Sequence, residues 1–349
     1  MQLFNFTPKV HKNNFDFLRF IFAFIVVVSH TVSLSGAASI KFLEPYFDTH
    51  LSVTGFFIIS GFLITQSFDK TSNLLNYFSK RANRILPAYF FVIVISALTF
   101  SFFSNLSMLE YFSNTQLYKY LASNFIFLNF LQPCLPGVFA ENNLCAVNGA
   151  LWTIKVEVTF YIILPFIILL GKKFKRPIVL FVFLYLLGLF YQGGLLYFID
   201  TYPARKHILE TLLHQMPGFL TYFVAGIALY KYFEYYSVNK TKLILLAIID
   251  FLIEYHFKLE ILLPISFAIL IVSFAFGVKY LNDFGKNGDI SYGIYIYHFP
   301  FIQLLISLSV FDYVNPFLML IIIPFCVILI AMFSWSFVEK RFIYRFRGK

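Results

Sequence analysis

An all-α, polytopic membrane protein of about ten transmembrane helices, with both termini in the cytoplasm, is the fold class this sequence predicts. Three observations lead to it. Apolar runs recur along the whole 349 residues, and each is long enough to cross about 30 Å of hydrocarbon. The composition is 60% hydrophobic, 21% aromatic and 13% charged, with 49 Phe, a profile outside the range of soluble domains. Lys and Arg concentrate in alternate connections, which sets an orientation. The short alternating segments of a β-barrel do not occur.

The first apolar run follows Lys9, His11 and Lys12 and superficially resembles a signal peptide. It is long and carries Arg19 and His30, and further spans follow, so it reads as a retained first helix. Spans are expected near 15–35, 50–68, 85–103, 148–170, 178–198, 214–233, 242–257, 260–278, 290–309 and 317–338. Asp250, Glu254, His256, Lys258 and Glu260 interrupt the seventh and eighth. Those two are either short helices joined by a tight turn or a re-entrant pair.

Of the 27 Lys and Arg residues, one set of connections holds 20 and the opposite set only Lys41, Lys119, Arg205, Lys206 and Lys258. That split places both ends in the cytoplasm of a cell whose plasma (inner) membrane the chain crosses many times. The net charge of +10 therefore describes topology rather than nucleic-acid binding. The chain closes on KRFIYRFRGK, a basic tail suited to the anionic inner leaflet. A single domain over 1–349 is expected, with no appended soluble domain and no internal repeat.

The longest non-cytoplasmic connection, Ser104 to Asn148, contains Pro133, Pro136, Gly137 and a moderately apolar piece from Tyr120 to Leu131. Cys134 and Cys145 share it, and they can pair if it faces an oxidising compartment. Cys326 lies in an apolar run, and the three form no zinc or redox motif.

Polar groups stand where lipid forbids them. Arg19 and His30 are eleven positions apart, so they return to nearly the same helix face about 16 Å apart along the axis. With Arg19 near the cytoplasmic surface, His30 lies near mid-membrane, where ionisable groups face a bundle interior or a wet cavity. The alternative is a snorkelling Arg19 and a His30 bonded to a neighbouring helix. In the second span, Gly55, Ser60 and Gly61 allow close helix approach. In KRANRILP, Arg81 and Arg84 share a helical face at the cytoplasmic entry of the third span. They can clamp a phosphate or simply anchor the span. In LWTIKVEVTFYIILP, Glu157 shares a face with Thr153 and Tyr161. In DISYGIYIYHFP, Ser291, Tyr295 and His298 form one stripe, and Pro300 follows as a kink.

Taken together these stretches resemble the acyltransferase 3 family of integral membrane O-acyltransferases. The resemblance rests on Arg19 and His30, SGFLI at Ser60 to Ile64, KRANRILP with Pro87, the LWTIKVEVTFYIILP span with Trp152, Glu157, Phe160 and Tyr161, the stripe from Ser291 to His298, and SWSFVEKRF with Glu339. Lys155, Val158 and Thr159 depart from the family's more usual residues. The resemblance implies transfer of an acyl group, acetyl above all, from cytoplasmic acyl-CoA to a hydroxyl of a cell-surface polysaccharide or its lipid-linked precursor. His30, Glu157 and Arg19 would be catalytic, with His30 as general base and Glu157 orienting it. Arg81, Arg84, Trp152, Tyr161, Ser291, Tyr295 and His298 would receive the donor, without a metal. The competing class is a proton-coupled secondary transporter or flippase, which also carries inward-facing His, Glu and Arg.

Overall fold

The computed structural model describes residues 12–344, and their secondary structure is helical apart from one isolated antiparallel bridge between Cys134 and Ala146. The basic residues Lys9 and His11 and the tail from Arg345 to Lys349 lie outside the described residues. In chain order the helices are α1 (Phe15–Ser35), α2 (Thr49–Asp69), α3 (Leu74–Thr99), α4 (Met108–Ser113), α5 (Thr115–Phe125), α6 (Trp152–Gly171), α7 (Ile178–Thr201) and α8 (Lys206–Leu213). There follow α9 (Leu220–Lys231), α10 (Phe233–Phe257), α11 (Leu263–Gly277), α12 (Ser291–Ser307), α13 (Val310–Tyr313), α14 (Pro316–Ser334) and α15 (Lys340–Tyr344).

Among the described residues, six helices are long and apolar enough to cross a membrane: Phe15–Ser35, Thr49–Asp69, Leu74–Phe103, Trp152–Gly171, Ile178–Thr201 and Pro316–Ile343. Their outer faces fit lipid, with Phe190 81% and Ile321 69% exposed. A seventh is made by Pro203–Leu213 and Met216–Lys231 if this pair, bent by 69°, is taken as one span. Pro217 and Gly218 at the bend interrupt the run expected over 214–233. The other expected spans are helices too, but shorter or more charged. α11 and α12 have 15 and 17 residues, at or below the lower end of the range for a crossing helix. α10 has 25 residues but carries Glu234, Lys240, Lys242, Asp250 and Glu254.

The α10–α11 junction explains its own charges. Lys258 takes the left-handed conformation (φ 53°) that ends α10, and the buried Glu254 carboxylate accepts the backbone N–H groups of Leu262 and Leu263 at 2.8 and 2.6 Å. These are orphan donors at the start of the next helix. Glu254 and Lys258 are thus turn chemistry, and a tight turn joins the two helices.

The described chain divides into two compact units. One holds residues 12–18, 53–78 and 156–284; the other holds 19–52, 79–155 and 285–344. In the first, α2 and α9 approach at glycine: a Cβ on Gly61 would stand 2.2 Å from the Phe223 carbonyl oxygen, and one on Gly226 2.2 Å from that of Ile58. The expected role of Gly61 is therefore real, because in lipid helices associate by close packing rather than by water release. Phe160 and Phe223 stack beside this seam with centroids 4.0 Å apart, and Phe57 meets Phe160 edge to face. Buried Lys231 reaches Asp69 at 2.6 Å.

In the second unit α12 packs along α14, with Gly293 against Ala331 and the Tyr297 and Ser334 hydroxyls 3.0 Å apart. Tyr292 ties α12 to the Ile85 carbonyl of α3 at 3.0 Å. The long connection is ordered here: Ser107 and Glu110 form a capping box at α4, and Cys134 and Cys145 are joined in a disulfide.

Candidate active site

The second unit holds α1 from Arg19 onward together with Asp289 and α12, and two contacts link them. Arg19 Nη1 lies 3.3 Å from Asp289 Oδ2, and His30 Nδ1 lies 2.7 Å from His298 Nε2. Eleven positions separate Arg19 from His30 and nine separate Asp289 from His298, and both pairings advance in the same direction. This segment of α1 and α12 therefore run parallel, with an ion pair at one level and an imidazole pair about 14–16 Å further along.

Asp289, absent from the residues expected at the site, organises the lower level. Its Oδ1 accepts the Ser291 N–H at 3.0 Å and the Ser291 hydroxyl, capping α12. Its Oδ2 receives Arg19 and, at 2.5 Å, Arg84. Burial works against its charge, but the Arg84 and Arg19 guanidiniums and the bonds from Ser291 hold its carboxyl below the ordinary carboxylate range. The sequence signal was an Asp two residues before a Ser at a helix start, a capping pattern. Arg81 lies three residues before Arg84 within α3, which begins at Leu74. The helix thus extends beyond the basic pair on its N-terminal side.

At the upper level the two rings are nearly parallel, with centroids 5.0 Å apart. His298 is completely buried, and its Nδ1 lies 3.3 Å from the Ile294 carbonyl oxygen. A carbonyl only accepts, so that nitrogen carries the proton, and in a neutral ring Nε2 is then the acceptor. His30 Nδ1–H donates to it. The His30 Nε2 is left with its lone pair, the form a general base needs.

Pro300 lies inside α12, two residues past the stripe. Having no N–H, it deprives the Ile296 carbonyl of its helical donor. The buried Asn148 side chain supplies one at 2.8 Å. Gln303, 1% exposed, donates to the Leu144 and Ala146 carbonyls at 2.6 and 2.8 Å and accepts from Asn142 at 3.0 Å. The segment following the disulfide is thereby laced to the stretch of α12 that carries His298. Tyr77 does the same repair in the first unit, donating at 2.9 Å to the Tyr161 carbonyl that Pro165 leaves open.

The stripe on α12 divides its labour: Ser291 serves Asp289, Tyr295 meets the Thr153 hydroxyl at 2.9 Å, and His298 meets His30. Glu157 belongs to the first unit, where Tyr161 and, at 3.3 Å, Ser60 donate to its carboxylate. Trp152 opens α6, half-buried. Lys155, an unexpected cation, stands 4.5 Å over the Phe130 ring. Glu339 is fully buried and accepts from Ser334 at 3.1 Å. Among the described residues no group of three or more His, Cys, Asp or Glu converges as metal ligands would.

Residues 12–338 match the family model described as an acyltransferase domain, acyltransferase 3. The chain is 29% identical to the O-acetyl transferase of Shigella phage Sf6 over 96% of its own length and 98% of that protein's. It is 26% identical to nodulation protein 10 of Rhizobium leguminosarum bv. viciae, over 95% and 93% respectively. No solved structure matches it significantly.

Proposed function

The chain belongs to the acyltransferase 3 family, and from that premise we propose that it transfers an acetyl group from cytoplasmic acetyl-CoA to a hydroxyl of a surface polysaccharide or its lipid-linked precursor. The observation that carries the mechanism is the 2.7 Å contact between His30 Nδ1 and His298 Nε2. It leaves the lone pair of His30 on Nε2, where a hydroxyl proton can be received. His298 takes the orienting role expected of Glu157, as the third member of a catalytic triad does.

His30 Nε2 removes the acceptor proton as the hydroxyl oxygen attacks the thioester carbonyl. The tetrahedral intermediate collapses by breaking its C–S bond, and the leaving thiolate recovers the proton from the imidazolium. The products are the acetyl ester and free coenzyme A, and His30 returns to its neutral form. Arg84, Arg19 and Arg81 supply the cationic end that receives the donor's phosphates. Asp289 holds Arg84 and Arg19 until the phosphates compete for them. Trp152 and Tyr295 belong to the same unit as these groups, Glu157 and Tyr161 to the other.

For topology we take ten crossings of the plasma membrane and cytoplasmic termini. The Lys and Arg asymmetry supports this, as does the parallel run of α1 and α12, which are the first and ninth spans in that scheme. A disulfide between Cys134 and Cys145 supports an oxidising side for the long connection.

The test is incubation of the purified full chain with [14C]acetyl-CoA and a panel of lipid-linked and free glycans. Label should appear on a glycan and disappear with His30→Ala while the protein stays folded. Solute uptake without thioester consumption would favour the transporter class instead.

A further inference from the structure

We propose that Gly149 and Phe299 are positioning residues for His30, and that the disulfide-closed segment from Cys134 to Cys145, with the strand of chain that follows it, fixes them. The proposal rests on the reading of His30 as general base. Phe299 is 3% exposed, and its ring meets the His30 ring edge to face, with centroids 5.4 Å apart. The backbone of Gly149 presses on that same ring: a Cβ there would lie 2.6 Å from Phe299 Cζ and 2.7 Å from Cε2. No real Cβ makes such a contact, so any side chain at 149 must displace the ring, the backbone or both.

The backbone has little freedom to move. On one side of Gly149, Asn148 is bonded to the Ile296 carbonyl and to the Ala150 N–H. Before it, Asn142, Leu144 and Ala146 are tied to Gln303. The disulfide between Cys134 and Cys145 and the bonded turn from Val147 N–H to Pro133 O, 2.9 Å, close the other end. The loop and α12 therefore form one rigid piece with the Phe299 ring between them and His30. A displaced ring must change the surroundings of the imidazole, and catalytic groups tolerate little misplacement.

The experiment labels purified full-length protein with diethyl pyrocarbonate, which acylates unprotonated imidazole, and follows each histidine by peptide mass spectrometry. Exposed His50, His207, His214 and His256 serve as internal references. Gly149→Ala should change the labelling rate of His30 by about tenfold and lower kcat by about tenfold or more. KM for acetyl-CoA and the reference histidines should not move. In Gly149→Ala with Phe299→Leu, the smaller side chain should make room for the methyl and restore stability, while His30 labelling stays altered and the transfer rate low, because the ring that positions the imidazole is gone. A purely structural role would recover rate and stability together. Should Gly149→Ala fail to fold, Phe299→Leu alone, which removes bulk, should still raise His30 labelling. Unchanged His30 labelling in every folded variant would overturn the proposal. Altered labelling in a protein whose wild type transfers no acetyl group would uphold the positioning and count against the acyltransfer mechanism alone.

Discussion

The carboxylate of Asp289 lies 2.5 Å from the Arg84 guanidinium while the same oxygen also meets Arg19. One anion holds two cations from two helices and caps a third. Asp289→Asn leaves both guanidiniums together without it, and the expected loss is about 3 kcal/mol of stability. The pH dependence has a definite sign. Because the folded carboxyl sits below its ordinary value, its contribution is complete above the unfolded pKa of about 3.9 and fades as the pH falls through the folded value. Thermal unfolding in detergent should show a constant gap between wild type and variant at neutral pH. That gap should close only below about pH 4.

Arg81→Ala and Arg84→Ala should weaken donor use more than acceptor use. Loss of one charge-assisted phosphate contact corresponds to about 1.5–3 kcal/mol, or roughly a ten- to hundredfold rise in KM for acetyl-CoA. Steady-state kinetics with each substrate varied in turn checks this. Equal effects on both substrates would remove the phosphate assignment.

Asn148 is expected to matter because Pro300 does. Asn148→Ala should cost about 1–3 kcal/mol by leaving the Ile296 carbonyl unsatisfied. In a Pro300→Ala background the restored N–H can take that carbonyl, and the cost should shrink. A double-mutant cycle on unfolding free energies measures the coupling. Tyr77→Phe and Pro165→Ala should behave in the same way in the other unit. Strictly additive effects would contradict the repair.

The disulfide closes a loop with a sequence separation of 11. Paired Cys134→Ser and Cys145→Ser should lower stability by about 2–3 kcal/mol. Thermal unfolding with and without reductant checks this. The double variant should be insensitive to reductant, and an equal response in both proteins would place the effect elsewhere.

Much of this arrangement is visible in the residues themselves. A histidine and an arginine eleven apart return to one face of an apolar helix, and the order of the short motifs along the chain points to its family. Asp289 is harder to see, because an acid two residues before a serine reads as a plain helix cap until the third dimension brings two arginines to it. Glu157 illustrates the reverse difficulty. Spacing along its helix sets Glu157 on one face with Tyr161, but it does not tell that Ser60 of α2 is the other partner. The span count suffers from local chemistry too: Pro217 and Gly218 bend one apolar run, and the charges of α10 serve partly to cap the next helix. His298 was legible as a member of a stripe, whereas its bond to His30 depends on the packing of α12 beside α1.

The central claim is that His30 keeps its lone pair on Nε2 because its Nδ1–H is committed to His298. The most direct measurement is 15N NMR of the full-length protein with 15N-labelled histidine, His30 being assigned by its loss in His30→Ala. A protonated Nδ1 and an unprotonated Nε2 on His30, changing when His298→Leu removes the acceptor, is the expected result. A proton on Nε2 of His30 in the resting protein, unaffected by that substitution, would contradict the account.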